Sequence, residues 1–223
     1  MSVARWNNPQ STISYPRSAR LSTIHNPRST IHAPSPHSFQ FRNVTNPPHN
    51  IVLIGFMGSG KTSIGRRVAQ KMGFQFVDTD SVIAERAGMR VTEIFARHGE
   101  TWFRNFETST LESMSILQRS VISTGGGVVL REENRNFLRA LGFVVWLTAS
   151  EDVIFERVAR NKHRPLLQTP DPRKTVHDLL EQRRELYGNA SQFTVETTAL
   201  SHEKAANAVV AEARRVFSWH SPA

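Results

Sequence analysis

The chain has 223 residues, with 28 Lys and Arg against 19 Asp and Glu, for a formal net charge of +9. That length suits one domain, or one domain with an appendage. The absence of cysteine excludes disulfides, Cys-ligated zinc and thiol catalysis, and no run of 18 apolar residues is present to form a membrane-spanning helix.

The charge is unevenly placed. Residues 1–50 contain no Asp, Glu or Lys but five Arg: Arg5, Arg17, Arg20, Arg28 and Arg42. They also hold seven of the eleven prolines, eight Ser and four of the nine His. Apolar residues there follow neither a period of 2 nor one of 3.6, so residues 1–47 read as a disordered basic tail. An acid-free, Arg- and Ser-rich leader is also what a transit peptide looks like, and a basic tail can touch an acidic surface. The remaining 173 residues carry 23 basic and 19 acidic groups, a modest excess. A domain over 48–219 follows.

Ile51-Val52-Leu53-Ile54 is a short apolar run that reads as a buried parallel strand. It leads into Gly55-Phe56-Met57-Gly58-Ser59-Gly60-Lys61-Thr62, which fits the P-loop pattern G-x4-G-K-[ST]. Glycines let the backbone curl so that successive N–H groups face one phosphate cluster, and the helix after the loop adds its N-terminal dipole. Gly58, Ser59, Gly60, Lys61, Thr62 and Ser63 are therefore the expected ATP site. Lys61 reaches the β- and γ-phosphates, and the Thr62 hydroxyl serves Mg²⁺. No guanine-reading N-K-x-D motif is found, and the chain is short for a translocating motor. A compact kinase is favoured.

A helix is expected over 62–72, with Ile64, Val68 and Met72 on one face, then a strand over 74–77. Phe76-Val77-Asp78-Thr79-Asp80 follows, and strand alternation would put Asp78 and Asp80 on one side. One carboxylate can hold water on Mg²⁺ while the other accepts a hydroxyl proton. The plain alternative is that Asp80 caps the next helix. Helices are expected around 81–87 and 100–119. Arg104 and Glu107 stand one turn apart, which by itself describes a solvated surface pair. The strand 121–123 runs into Gly125-Gly126-Gly127, which permits close backbone approach to a ligand.

A helix at 131–141, a strand at 143–147 and a helix at 150–160 come next. The basic stretch Arg160-Asn161-Lys162-His163-Arg164-Pro165 reads as a lid that closes over phosphates. Helices over 174–188 and 202–217 flank a strand at 193–196. Arg183 on the first of them says little alone. Strands alternating with helices imply a parallel sheet covered on both faces, an α/β domain.

In combination these motifs resemble the shikimate kinase family from about Ile51 to Phe217. The likeness rests on G-F-M-G-S-G-K-T (55–62), F-V-D-T-D (76–80), F-R-N-F-E (103–107), S-T-G-G-G (123–127), R-P-L-L (164–167) and R-R-E-L-Y (183–187). A gluconate kinase would be expected to lack the pairing of D-T-D with the triple glycine. The resemblance implies a three-layer P-loop kinase fold with a five-stranded parallel sheet in order 2-3-1-4-5. It implies a substrate-binding region at about 80–108 and a lid at about 160–172.

It further implies that Asp80 binds shikimate and takes the proton of its reacting hydroxyl. Arg104 and Arg183 grip the carboxylate, Gly126 is a backbone donor to the substrate with Gly125 and Gly127 shaping the loop, and Phe95 and Phe103 wall the ring. Lys61 and Arg164 attend the transferring phosphate, Arg160 lies beside adenine, and Asp78 holds Mg²⁺ through water. The implied reaction is ATP-dependent phosphorylation of the shikimate 3-hydroxyl by a monomer with one Mg²⁺, in the cytoplasm or, if the tail is a transit peptide, in a plastid. Nucleic acid and membrane partners are not expected. The competing readings are a kinase for another small hydroxylated acid or sugar, and a non-catalytic binding relative.

Overall fold

The computed structural model describes residues 49–159 and 169–219. The basic tail, Arg160 and Arg164 lie outside them. Five parallel strands form one sheet: β1 (Ile51–Ile54), β2 (Gln75–Asp78), β3 (Ser120–Ser123), β4 (Phe143–Thr148) and β5 (Phe193–Glu196). Their order is β2-β3-β1-β4-β5, the order expected from the resemblance. Seven α-helices lie among the described residues: α1 (Lys61–Met72), α2 (Thr79–Ala87), α3 (Val91–Ser113), α4 (Glu132–Leu141), α5 (Glu151–Ala159), α6 (Pro172–Ala190) and α7 (His202–Trp219).

The side-chain period of 2 explains the layers. Ile51 and Leu53 face α1 and α7, where they pack with Ile64, Val68, Ala206 and Val209. Val52 and Ile54 face the opposite way, into a cluster with Leu111, Leu138 and Tyr187. β1 is thus buried on both faces, which is why its four residues are all β-branched or Leu. Each such side chain contributes roughly 1.5–3 kcal/mol by leaving water.

The N-terminal edge of the sheet is tied by one amide. Asn50 is fully buried. Its Nδ2 donates to the carbonyls of Leu117 (2.8 Å) and Leu141 (2.9 Å), and its Oδ1 accepts from the Ser120 N–H (3.0 Å). The three bonds set the starts of β1, β3 and β4 side by side.

Two helix boundaries differ from the sequence expectation. The helix expected from 100 begins at Val91 and is bent at Gly99, whose φ of 78° and ψ of 175° are not helical. The bend resets the direction of the helix and hides the first half from a periodicity reading. The same helix ends at Ser113; residues 114–116 form a single 3-10 turn, and Arg119 stands at φ 52°.

Candidate active site

Strand order decides what meets what. β2, β3 and β1 are neighbours, so the segments leaving their C-terminal ends form one continuous rim. The D-T-D segment leaves β2, the glycine triplet leaves β3, and the P-loop leaves β1. The glycines therefore sit between the other two.

The P-loop has the curled backbone its glycines permit, with φ of 81° at Gly58 and 95° at Gly60. Lys61 Nζ donates to the carbonyls of Gly55 and Phe56, each at 2.8 Å. Arg157, a residue the sequence reading passed over, donates to the Gly58 carbonyl (3.1 Å) and to that of Thr197 (3.4 Å). It joins the P-loop to the segment after β5. Its only signal in the sequence was proximity to the basic stretch.

Asp78 and Asp80 depart from simple strand alternation. Asp78 ends β2, and Asp80 already belongs to the first turn of α2. Asp78, not Asp80, caps that helix: its Oδ1 accepts from the Ser81 N–H at 3.3 Å. Its other oxygen accepts from the Thr62 hydroxyl at 3.2 Å. Asp80 is thereby turned toward the glycines. A β-carbon built on Gly125 would lie 2.9 Å from Asp80 Oδ1 and 3.1 Å from Glu107 Oε1, so any side chain there would push the two carboxyl groups aside. Both of these oxygens are buried and make no hydrogen bond. Burial, and then the charge of Asp78, push the Asp80 carboxyl above its ordinary range, while Lys61 and Arg104 pull it back.

Arg104 and Glu107 are not the solvated pair their spacing suggests. Arg104 Nη1 donates to Glu107 Oε2 at 2.8 Å, and the Glu107 side chain is 1% exposed. Glu100 Oε1 accepts from Arg104 Nε and Nη2 at 3.2 and 3.1 Å. A β-carbon on Gly127 would lie 2.3 Å from Arg104 Nη2, so the arginine lies flat against the third glycine. Burial raises the Glu107 carboxyl to about 7, with Arg104 opposing and Asp80 assisting. The sequence reading did not place Glu107 among the site residues. Its signal was the (i, i+3) spacing, which reads as functional only once the helix face is known to be buried.

Arg183 is also buried, at 6% exposure, contrary to the rule for a lone helical arginine. Its Nη1 donates to the Gly126 carbonyl at 3.3 Å, and Tyr187, one turn on, donates its hydroxyl to the same carbonyl. Arg183 Nε makes no hydrogen bond. Phe95 and Phe103 meet in a tilted pair with ring centroids 4.5 Å apart, and Arg104 lies over Phe103 at 5.2 Å.

The rim thus brings together a phosphate-binding loop, a buried carboxylate and two guanidinium groups. The first suits a nucleotide; the others suit a small acceptor carrying a hydroxyl and an anion. Such a site defines an ATP-dependent phosphotransferase for a small molecule. Residues 57–214 match the family model described as shikimate kinase. A shikimate kinase of Thermodesulfovibrio yellowstonii is 47% identical over 167 residues, 75% of this chain and 96% of that protein. One from Actinobacillus pleuropneumoniae is 45% identical over 161 residues, 72% of this chain and 93% of the relative. A solved shikimate kinase from Acinetobacter baumannii in complex with shikimate superposes with a TM-score of 0.72 at 35% identity, covering 80% of this chain and 97% of that one. The chain belongs to the shikimate kinase family.

Proposed function

We infer that Lys61, Asp80, Arg104 and Arg183 carry the family reaction in this chain. The enzyme transfers the γ-phosphoryl group of ATP to the 3-hydroxyl of shikimate, giving shikimate 3-phosphate and ADP, a step toward chorismate and the aromatic amino acids. The observation that carries the reading is the pair of orphaned buried polar groups, Asp80 Oδ1 and Arg183 Nε, on one glycine-lined rim beside the P-loop. Unpaired buried polar atoms cost about 1–3 kcal/mol each, a cost that an acceptor with matching groups removes.

In this reading Arg104 and Arg183 hold the shikimate carboxylate. Glu107 and Glu100 hold Arg104 in place from behind, while Gly126 is fixed by Tyr187. Gly125 and Gly127 let Asp80 and Arg104 approach. Phe103 walls the ring, with Phe95 packed against it. Asp80 orients the acceptor hydroxyl and accepts its proton as the phosphoryl group moves. The backbone of Gly58, Ser59 and Gly60 cradles phosphates, and Lys61 neutralises the charge that spreads over the transferring group. Lys61 must exchange the two carbonyls it now binds for phosphate oxygens. Arg164 and Arg160, outside the described residues, are assigned to the lid on sequence alone.

Thr62 and Asp78 are the residues that would hold Mg²⁺. Their oxygens are 3.2 Å apart at the end of the P-loop, a small all-oxygen donor set of the kind Mg²⁺ takes together with phosphates and water. When bound, the ion supplies charge neutralisation across the phosphates. We assign a monomer, as the resemblance implies, and no nucleic-acid partner, because five of the nine excess positive charges fall on the tail. No helix among the described residues is long and apolar enough to cross a membrane. The compartment assigned is the cytoplasm. The acid-free composition of residues 1–47 favours a second reading, a plastid transit peptide, and mass spectrometry of the native N-terminus separates the two.

The deciding assay is ADP release with ATP and Mg²⁺ against shikimate, quinate, gluconate and DNA. Shikimate alone should give rapid turnover. A response to gluconate or DNA, with none to shikimate, overturns the reading.

A further inference from the structure

The turn of α3 that carries Arg104 and Glu107 is fastened to α4 by polar side chains that the site described above does not use. Arg131 stands at the start of α4, a short way past Gly127. Its Nη2 donates to Asn105 Oδ1 at 2.8 Å, and its Nη1 donates to the Thr108 hydroxyl at 3.3 Å. That hydroxyl lies 2.7 Å from Asn134 Oδ1 and 3.0 Å from the Arg104 carbonyl, with one proton to give. Asn105 and Thr108 directly follow Arg104 and Glu107 in the chain. Each of the two charged residues is thus held through its neighbour.

Contacts between core helices are ordinarily apolar, yet here Asn134 is fully buried and Thr108 is 6% exposed. Such bonds add little net stability, because the same groups bond water in the unfolded chain. They are directional, however, so they form at one axial setting of α3 against α4. Apolar side chains alone would tolerate a slide. The 3-10 turn Val128–Leu130 leads from Gly127 to Arg131, and Arg135 steadies it by donating to the Val129 carbonyl at 2.7 Å. The circuit is closed. Gly127 lies against the Arg104 guanidinium, and Arg131 returns to the helix one residue past Arg104. The guanidinium and the backbone that bears it are both referred to the stretch 127–134.

We propose that Arg131 is a positioning residue for the acid acceptor: it fixes the depth of the Arg104 turn against the glycine triplet, and so sets the affinity for the carboxylate without touching it. This rests on the reading that Arg104 grips the shikimate carboxylate. Both hydrogen-bond partners of Arg131 are neutral, so its charge also reaches the pocket. Burial raises the Glu107 carboxyl, Arg104 opposes that rise, and Arg131 opposes it more weakly. The test therefore has to separate position from charge.

The measurement is steady-state kinetics of the full chain, with shikimate and ATP each varied. Arg131→Gln should raise the KM for shikimate by about tenfold, leave that for ATP within about twofold, and change kcat less than KM. Asn105→Ala keeps the charge of Arg131 and removes its shorter bond; it should raise the shikimate KM by about threefold. Arg131→Lys keeps the charge but not the two-pronged fork, and should fall between the parent and Arg131→Gln. On an Arg104→Lys background, Arg131→Gln should add less than about twofold, because the group it positions is already gone. Cooperative melting shows which variants fold; where Arg131→Gln does not, Asn105→Ala decides. An unchanged shikimate KM in either folded variant, equal rises for both substrates, or full additivity with Arg104→Lys would overturn the proposal. An unchanged shikimate KM in Arg104→Lys itself would overturn the carboxylate reading and this proposal with it. A raised KM there, with Asn105→Ala unchanged, would overturn this proposal alone.

Discussion

Asp80 and Glu107 are two carboxyl groups held on either side of one glycine, and they are expected to fail differently when changed. Asp80→Asn keeps the shape and removes the proton acceptor. Turnover should fall by about 10²–10⁴, with ATP affinity nearly unchanged in equilibrium binding. Near-normal turnover would remove Asp80 from the role of base. Arg104→Lys keeps the charge and loses the planar fork. The KM for shikimate should rise by roughly tenfold or more, while that for ATP moves little; equal changes in both would contradict the grip on the carboxylate.

Glu107 gives a prediction about stability and pH. Its ordinary value is 4.5, and burial raises it to about 7 in the folded chain. The folded state therefore binds more protons than the unfolded state between these values. The stability this group contributes is fully present below pH 4.5 and is lost as the pH rises through 7. Glu107→Gln removes the titration. The drop in melting temperature from pH 5 to pH 8 should be smaller in the variant than in the parent. Equal drops would show that Glu107 does not titrate in this range.

At the scale of elements, the bend in α3 matters most for the site. Gly99 separates Ile94 and Phe95 from Phe103, Arg104 and Glu107, and the bend lets both parts pack on the same small core with Ile83 and Ala87 of α2. A β-carbon at Gly99 meets nothing within 4 Å, so the constraint is the positive φ alone. Gly99→Ala should cost about 1–3 kcal/mol. Circular dichroism melts would measure that loss, and shikimate affinity should fall with it because Arg104 rides on the second part. An unchanged melt would mean that the helix straightens without penalty.

The elements were legible in the sequence to differing degrees, for physical reasons. β1 and the P-loop were read correctly because a doubly buried strand is a continuous apolar run and its loop needs glycine at fixed places. The roles of Arg104, Glu107 and Arg183 were not legible from spacing. Burial of a charged side chain depends on what packs over it, and those partners lie 18 or more residues away in the glycine triplet. The resemblance supplied the roles of Arg104 and Arg183 where periodicity could not, and gave none to Glu107. The helical cap went to Asp78 instead of Asp80 because the strand runs one residue further than its apolar pattern.

For the whole molecule, the split of charge is the organising fact. The tail of residues 1–47 carries five arginines and no acid, and no role in catalysis is assigned to it. A chain beginning at Pro48 should retain shikimate-dependent ADP release and melt within a few degrees of the full chain. Loss of activity with an intact melt would assign the tail a role in the reaction.

The three bonds of Asn50 have a consequence at the far edge of the sheet. Strands of four to six residues are too short to absorb an error along their length. With a rise of about 3.3 Å per residue, the P-loop begins only about 16 Å from that amide. Alignment set at one edge therefore arrives at the other undiminished. The glycine triplet, the P-loop and the end of β4 keep their spacing because a single side chain, remote from every reacting atom, acts as the common origin from which all three are measured.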